Sequence, residues 1–411
     1  MKKLLALVAA TSMLAGCGLS LPGMNTGNDQ KVATKRKLPK GAKKWTVMVH
    51  LAADNNLYNF GLQDLNEMEA GINADDVNVI VLFDGNKQGD SAVYEVKKDP
   101  AGKNTTFVST PMTDLPFIPA NKEINSGDVN VVKAFGEWAI AKYPAEHYMM
   151  SYWDHGSGIF RGGDFITKGF GWDDNGTHLN TNDLSNLTPA FAKVAGQPID
   201  VVGFDACLMA HAEIAYQMKG SAKYLVASEE LEPGAGWDYA GWLKNVTGTT
   251  APAQMADVLV KSYAGSYSGR EDLTLSATSI DALTGKLVPA MNNLSAALVG
   301  AMPAEKATIA AARTGTQSFY NKDCADIGSF AKQLLASNVS AGVKAAAQDV
   351  LTAVGATVTS EVHSASRPNA TGLVAYFPNA NQSYNAKYDN PALIAFSSEG
   401  WKNFLKALTQ K

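Results

Sequence analysis

The alternation of short apolar runs with stretches of helical spacing limits the fold of this chain more than any other feature of its sequence. Residues 45–52 and 77–83 are rich in Val, Ile, Leu and Met, and residues 54–72 between them carry apolar side chains at the spacing of an amphipathic helix. Strand, helix and strand in this order predict a parallel pair joined by a right-handed crossover.

The same alternation continues to residue 228. A shorter strand or hairpin arm is predicted at 91–96, further strands at 147–153, 198–204 and 223–228, and helices at 130–143 and 207–218. We therefore expect an α/β fold in which a mostly parallel central sheet is flanked by helices.

The chain after residue 245 is richer in alanine and in helical spacing. Predicted helices at 252–267, 284–300 and 340–356 alternate with predicted strands at 273–280 and 372–378. We expect a first domain at 45–245 and a helix-rich α/β portion at 246–411 that packs on, or extends, the same sheet.

The first 44 residues are typical of an export signal and a tether. Lys2 and Lys3 precede an apolar run that is too short to span a bilayer, and the "LAGC" that ends at Cys17 resembles the bacterial lipobox. We expect residues 1–16 to be a lipoprotein signal peptide and Cys17 to be acylated, with a plain secretory signal as the alternative. Residues 17–44, which include seven basic side chains, predict a flexible basic tether.

These features predict an exported protein that a lipid anchors to a bacterial membrane. Gly18, rather than an acidic residue, follows Cys17. This favours the outer membrane or the cell surface over the inner membrane. The basic tether is also a place where the protein could be cut and shed, although it could equally rest against anionic lipid head groups.

The charge of the folded part argues against one class of partner. Residues 45–411 carry 26 basic and 38 acidic side chains, a formal charge of −12. Such an acidic surface excludes nucleic acid as the expected partner and suits cationic ligands. The alternative is that this excess of acidic side chains only keeps an exported protein soluble.

Two residues suited to nucleophilic catalysis follow predicted strands. His155 comes after the 147–153 strand, and Cys207 comes after the 198–204 strand, at or near the start of the next predicted helix. A helix N-terminus lowers the pKa of a thiol, and an imidazole can take and return its proton. Gly156 would leave a main-chain N–H open to a developing oxyanion. The alternatives are a buried structural cysteine and a histidine that closes a turn.

The residues around this pair resemble the clostripain family of cysteine peptidases. "YWDHGSG" and "GFDACLMA" are similar to its active-site blocks, and "LAADNNL", "ASEELEPGAGWDY" and "GLVAYFP" are similar to further blocks of the family in the same order. The resemblance implies a caspase-like sandwich, a dyad of His155 and Cys207, main-chain oxyanion donors at Gly156 and Cys207, and cleavage after Arg or Lys.

Acidic side chains near Cys207 could hold the basic side chain of a substrate. Asp205 is our first candidate, because a carboxylate two residues before the nucleophile can point into its pocket; an N-cap of the following helix is the alternative. Asp238 is a second candidate, with Glu230 and Glu232 as rivals. Asn56, after the first strand, is a further candidate to line the cleft, or else a turn residue.

The resemblance also implies self-cleavage between the His and Cys blocks. Lys168 is the first candidate site and Arg161 the second, within a glycine-rich polar stretch, and both could instead be ordinary solvated residues. His211 is expected to be a helix-surface or packed histidine and Cys324 a structural cysteine, with no metal site. A bridge between Cys207 and Cys324 stays open.

These observations predict a membrane-tethered, monomeric cysteine endopeptidase that acts on proteins or peptides at Arg or Lys. The sequence requires no cofactor; calcium is implied only by the family resemblance. The alternative is a non-catalytic surface lipoprotein that uses the same fold to bind peptides or a protein partner.

Overall fold

Nine strands form one sheet in the part of the protein that the structure describes. The structure is a computed structural model, and it describes residues 38–159, 169–270 and 272–410. The strands of these residues, four of which form two separate pairs (β6 with β7 and β11 with β13), are β1 (Lys43–Ala53), β2 (Val77–Gly85), β3 (Ala92–Glu95), β4 (Pro111–Met112), β5 (Ala145–Trp153), β6 (Gly169–Phe170), β7 (Leu179–Asn180), β8 (Ile199–Asp205), β9 (Ala222–Ala227), β10 (Thr274–Ser279), β11 (Cys324–Asp326), β12 (Val358–His363) and β13 (Val374–Tyr376).

Helices connect most of these strands. They are α1 (Tyr58–Gly71), α2 (Val129–Lys142), α3 (Leu184–Ala195), α4 (Ala212–Gln217), α5 (Tyr239–Leu243), α6 (Pro252–Ser266), α7 (Ile280–Ala282), α8 (Val288–Thr314), α9 (Ile327–Ala336), α10 (Ala341–Thr357) and α11 (Trp401–Thr409). A π-helical turn, Leu283–Leu287, joins α7 to α8. Short 3₁₀ turns cover Thr181–Asp183, Ala386–Asp389 and Ala395–Ser398.

The centre of the sheet is parallel and its two sides are antiparallel. The strand order is β12-β10-β9-β8-β5-β1-β2-β3-β4. The run from β9 to β2 is parallel, whereas β10 and β12 on one side and β3 and β4 on the other are antiparallel. The mostly parallel sheet predicted from the sequence is therefore confirmed, and β3 is the hairpin arm expected after β2. Two strands that follow residue 246, β10 and β12, belong to this sheet.

Helices cover both faces of the sheet. In β1, Val47 and Val49 pack into the core under α1, α5 and α6, while Met48 packs into the core under the other long helices. Alternate side chains of a strand point to opposite faces, so both faces of β1 must be apolar. This explains why the central strands read as nearly continuous apolar runs.

The segment after β8 differs from the prediction. The helix expected at 207–218 is wrong in its first turn, because α4 begins only at Ala212. The chain turns at residues 206–208 and then bonds to the segment that follows β9: the Leu208 N–H donates to the Glu230 carbonyl, and the Ala210 N–H donates to the Ser228 carbonyl. Leu208 itself has a φ of 64°, which a helix does not allow.

The boundaries of two strands also differ from the prediction. β1 begins at Lys43, so residues 43 and 44, which the sequence assigned to the tether, lie in the sheet. The Lys43 ammonium donates to the carbonyl of Ala74 at 2.6 Å, which explains how a basic residue extends the strand. The strand predicted at 372–378 is the short β13, which pairs with β11 outside the main sheet.

Among the described residues, no helix combines the length and the apolar character that crossing a membrane would need.

Candidate active site

The carboxyl ends of β5 and β8 bring His155 and Cys207 to one cleft. Trp153 of β5 lies opposite Asp205 of β8 in the parallel register. His155 and Cys207 each stand two residues beyond these partners, where the chain leaves the sheet. Both line a cavity of about 530 Å³ and an adjoining one of about 220 Å³. Clefts at strand ends are where parallel α/β sheets bind ligands.

Gly156 lies directly against the backbone of Cys207. A Cβ at position 156 would stand 2.2 Å from the Cys207 carbonyl oxygen and 3.0 Å from its nitrogen. Only glycine at position 156 allows these two backbone segments to approach this closely. The contact brings together the two main-chain segments that the sequence proposed as oxyanion donors.

The imidazole of His155 is held by Asn56. His155 Nε2 and Asn56 Oδ1 are 2.8 Å apart. Because an amide oxygen can only accept, Nε2 carries the proton and Nδ1 is left as the basic nitrogen. Burial lowers the pKa of His155, so the ring is neutral near pH 7. The sequence predicted that Asn56 lines the cleft; the structure instead places it against the histidine, and it is its neighbour Asn55 that lines the larger cavity.

Asn55 ties this loop to the strand end that carries His155. Its amide nitrogen donates to Asp154 Oδ1 at 2.8 Å and to the Ala52 carbonyl at 3.1 Å. Its side-chain oxygen accepts from the Leu57 N–H at 2.8 Å, which closes a turn. The turn role that was the alternative for Asn56 therefore belongs to Asn55.

The Cys207 thiol is held in its neutral form. Burial raises the pKa of Cys207, and the nearby carboxylates of Asp205 and Glu230 raise it further. The Glu232 N–H, 3.2 Å from Sγ, acts in the opposite direction because it favours the thiolate. The expected helix N-terminus is absent, since α4 starts five residues later. The raised pKa of Cys207 and the lowered pKa of His155 together favour a neutral thiol and a neutral imidazole as the resting pair.

The smaller cavity has acidic walls. Asp205 and Glu232 line it beside Cys207, together with Leu57, Trp153, Asp154, His155, Ala206, Leu231, Pro233, Gly234 and Gly236. Asp205 Oδ2 accepts from the Trp237 N–H at 3.1 Å, and burial raises the pKa of Asp205 to about 6. Trp237 can approach because β8 has a glycine there: a Cβ on Gly203 would stand 2.8 Å from its indole ring. Asp205 is not an N-cap, because α4 lies beyond it.

Glu232 supplies a second carboxyl group to this cavity. Both of its carboxyl oxygens are buried, next to Asp205 and Trp237. Burial and the charge of Asp205 raise the pKa of Glu232 well above its usual range. Two buried carboxyl groups beside one cavity favour a cationic occupant. Glu232 was only a rival candidate from the sequence.

Two other acidic candidates lie elsewhere. Asp238 caps α5, where its Oδ1 accepts from the Gly241 N–H at 2.9 Å and lies 3.7 Å from the Lys103 ammonium. It lines neither cavity, which corrects the prediction that it is a pocket residue; an aspartate three residues before a glycine N–H is simply a good N-cap. Glu230 is committed to an ion pair with Arg367, at 2.7 Å.

The remaining candidates have structural surroundings or lie outside the described residues. His211 is buried at the start of α4, with Nδ1 3.6 Å from Glu213 Oε2. Cys324 is buried beside Phe319 and Ala370, and both it and Cys207 are free thiols. Cys17, Arg161 and Lys168 lie outside the residues that the structure describes. Across residues 38–159, 169–270 and 272–410, no group of three or more His, Cys, Asp or Glu side chains is placed to hold a metal ion.

The larger cavity contains residues that sequence reasoning missed. Trp172, which stacks on His178 with ring centroids 4.0 Å apart, lines it together with Leu231 and Tyr320. An apolar side chain in a loop belongs to no periodic sequence pattern. The position of these three residues at the cleft could therefore be seen only in the folded structure.

The fold and the cleft define a class of protein. A thiol and an imidazole at the ends of neighbouring parallel strands in an α/β sandwich are the arrangement of cysteine peptidases with a caspase-like fold. The clostripain family model matches residues 49–407, and the chain belongs to that family.

The chain is also similar to individual proteins. Clostripain from Hathewaya histolytica is 29% identical over 239 residues, which is 51% of this chain and 43% of that protein. The match therefore spans less than half the length of this curated relative. A secreted C11 cysteine protease from Bacteroides thetaiotaomicron, solved with an irreversible peptide inhibitor, shares the fold with a TM-score of 0.63 at 20% identity, over 87% of this chain and 98% of that one. An inactive zymogen C11 protease from Parabacteroides distasonis has a TM-score of 0.61 at 17% identity, over 90% and 99%.

The charges around Cys207 predict how its reactivity depends on pH. Burial and Asp205 both disfavour the thiolate, so the rate of alkylation by neutral iodoacetamide should rise with pH through a midpoint above that of an exposed cysteine. Asp205→Asn removes a negative charge and should move the midpoint to lower pH. The rate is measured at Cys207 by peptide mass spectrometry.

Asp238→Asn is the matched control, because Asp238 carries the same charge but lines neither cavity. Its midpoint should equal that of the unmodified protein. Equal midpoints for all three proteins would contradict this electrostatic account.

Proposed function

We propose that this protein is a cysteine endopeptidase that cleaves peptide bonds after Arg or Lys. The observation that carries the proposal is the position of the buried carboxyl groups of Asp205 and Glu232 in a cavity that Cys207 and His155 also line. A cationic side chain that enters this cavity can pair with both carboxyl groups, and the carbonyl carbon of the same substrate residue would then stand beside the thiol.

The residues support a two-step reaction. His155 Nδ1 takes the proton of the Cys207 thiol as Sγ bonds to the substrate carbonyl carbon, and the main-chain N–H groups of Gly156 and Cys207 stabilise the oxyanion. The imidazolium then returns the proton to the leaving amine, and the C–N bond breaks to leave a thioester. Water, deprotonated by His155, hydrolyses the thioester and restores the thiol.

The hydrogen bond from His155 to Asn56 fits this sequence of proton transfers. While the Nε2 N–H donates its hydrogen bond to Asn56 Oδ1, only Nδ1 can exchange a proton with the thiol or the amine. Asn56 therefore acts as a positioning residue, because it fixes both the ring and its tautomer.

A cationic side chain in the smaller cavity also favours the reaction electrostatically. The negative charges of Asp205 and Glu230 oppose thiolate formation at Cys207. Arg or Lys in the cavity cancels part of that charge, so the bound substrate itself promotes ionisation of the nucleophile.

Cleavage of short fluorogenic peptides tests the proposal. The purified protein should hydrolyse peptides that end in Arg or Lys, and not matched peptides that end in Gln or Glu. Cys207→Ala should lower kcat/KM by roughly 10⁴-fold or more. Asp205→Asn should lower it by roughly 10²- to 10³-fold, because the substrate cation then loses a charged partner in a buried site.

Assays with added calcium and with a chelator show whether the calcium dependence implied by the family resemblance applies. The enzyme is proposed to act as a monomer and to require no cofactor. Peptide binding by both the unmodified protein and Cys207→Ala, with no turnover by either, would instead support the non-catalytic alternative.

We further propose self-cleavage within residues 160–168, at Lys168 or Arg161. The described ends of this interval adjoin the cleft: the Gly169 N–H donates to Ser157 Oγ at 3.0 Å, and Ser157 lines the larger cavity. A structural neighbour described as an inactive zymogen is consistent with activation by cutting.

This proposal predicts two fragments of the unmodified protein on a denaturing gel. Cys207→Ala should stay intact, and sequencing the new N-terminus should give Gly169 or Gly162. Lys168→Ala should move the cut to Arg161, and the pair of substitutions should abolish it. A Cys207→Ala protein that is cut at the same place, when expressed alone, would show that another protease is responsible.

The export signal supports a lipid anchor on Cys17 and a location at the outer membrane or cell surface. A structural neighbour is described as secreted, which is consistent with export. Cys17→Ser should move the protein from the membrane fraction to the soluble fraction, and metabolic labelling with palmitate should no longer detect it. Labelling that persists would contradict the assignment of Cys17. Shed protein with new termini within 31–44 would locate release in the tether.

A further inference from the structure

Two exposed apolar side chains stand together at the cleft. Large hydrophobic side chains are exposed at only six places in the described residues: Phe107, Val108, Val194, Leu231, Val299 and Tyr320. Leu231 is 40% exposed and Tyr320 is 48% exposed, and both line the larger cavity beside Cys207. Exposed apolar groups that meet at a cleft indicate a binding surface rather than incidental exposure.

One ion pair, between the buried Glu230 and the partly exposed Arg367, fixes both of the loops that carry these side chains. Glu230 Oε1 accepts from the N–H of Leu231 at 2.9 Å and from the N–H of Tyr320 at 3.1 Å. Its other oxygen accepts from Arg367 Nη2 at 2.7 Å and Nε at 3.1 Å.

Glu230 is only 2% exposed, so this network has little competition from water. The two residues come from distant parts of the chain, and a single carboxylate sets the spacing between them. The apolar walls are therefore held in place before any ligand binds.

The strand order shows which part of a peptide would meet these walls. Cys207 follows β8, His155 follows β5 on one side of it, and Leu231 follows β9 on the other side. The leaving amine must be near His155, which protonates it. The acyl part of the peptide, which precedes the cleaved bond, then extends towards the β9 side.

Leu231 also lines the smaller, acidic cavity, so the two cavities share this residue as a wall. Successive side chains of an extended peptide point in opposite directions. With the basic side chain in the acidic cavity, the side chain before it points out of that cavity and passes Leu231.

We propose that Leu231 and Tyr320 form a subsite for the substrate residue that directly precedes the cleaved Arg or Lys, and that this subsite selects an apolar side chain. The inference rests on the proposed function, and Glu230 and Arg367 act in it as positioning residues. The enzyme then reads two consecutive residues, an apolar one followed by a basic one.

A panel of fluorogenic dipeptides with Leu, Phe, Gly or Glu before a constant Arg tests this subsite in the purified full-length protein. The kcat/KM for Leu-Arg and Phe-Arg should exceed that for Gly-Arg by about tenfold, as expected for an apolar side chain that enters an apolar pocket. Tyr320→Ala and Leu231→Ala should each reduce the ratio of Leu-Arg to Gly-Arg. Tyr320→Phe keeps the ring and should restore most of that ratio.

Phe107→Ala is the matched control: Phe107 is 38% exposed and lines neither cavity, so the ratio should not change. Equal cleavage of Leu-Arg and Gly-Arg, or a ratio that Tyr320→Ala and Leu231→Ala leave unchanged, would overturn the subsite while Arg cleavage itself stands. A changed preference only for the residue after the cut, seen with internally quenched peptides, would overturn its assignment to the acyl side. Failure to cleave any Arg or Lys peptide would overturn the proposed function and the subsite with it.

Discussion

The parallel pairing of β5 with β8 is the constraint on which the rest of the site depends. It sets Trp153 opposite Asp205, and the two loops that leave the sheet after them carry the imidazole and the thiol. Gly156 makes the arrangement possible in detail, since any side chain there would overlap the backbone of Cys207. A register shift of one residue would turn every side chain of β8 to the opposite face, so the core on both faces of the sheet also protects the geometry of the site.

Burial gives the site its electrostatic character. Asp205, Glu232 and Cys207 all have raised pKa values because they lie away from water, and the pKa of His155 is lowered for the same reason. Burial therefore favours the uncharged forms of both the nucleophile and the base. A cationic ligand favours the charged forms instead, because it stabilises the carboxylates and the thiolate together. The same positive charge would thus both bind the ligand in the acidic cavity and promote ionisation of the thiol.

Much of the fold and part of the candidate site could be predicted from the sequence, as individual residues show. The central strands are apolar on both faces, so their order and the helices between them predicted the parallel sheet. His155 and Cys207 follow predicted strands, and the motifs around them resemble one family. The helix expected at 207–218 failed in its first turn because Leu208 and Ala210 bond to the chain after β9, a partner that local propensity does not include. Asn56 and Tyr320 depend in the same way on distant partners: a histidine and the carboxylate of Glu230. Chain spacing alone does not contain those contacts.

The position of residues 160–168 between β5 and β8 has a consequence for the protein as an assembly. A break there separates β1–β5 from β6–β13 in the covalent chain, yet the hydrogen bonds between β5 and β8 run across the break, as do those between Ser157 and Gly169. The two fragments would each hold half of the site, His155 on one and Cys207 on the other, and neither could keep its share of the sheet alone. The cut protein would behave as an obligate heterodimer whose subunit interface is the middle of its own hydrophobic core.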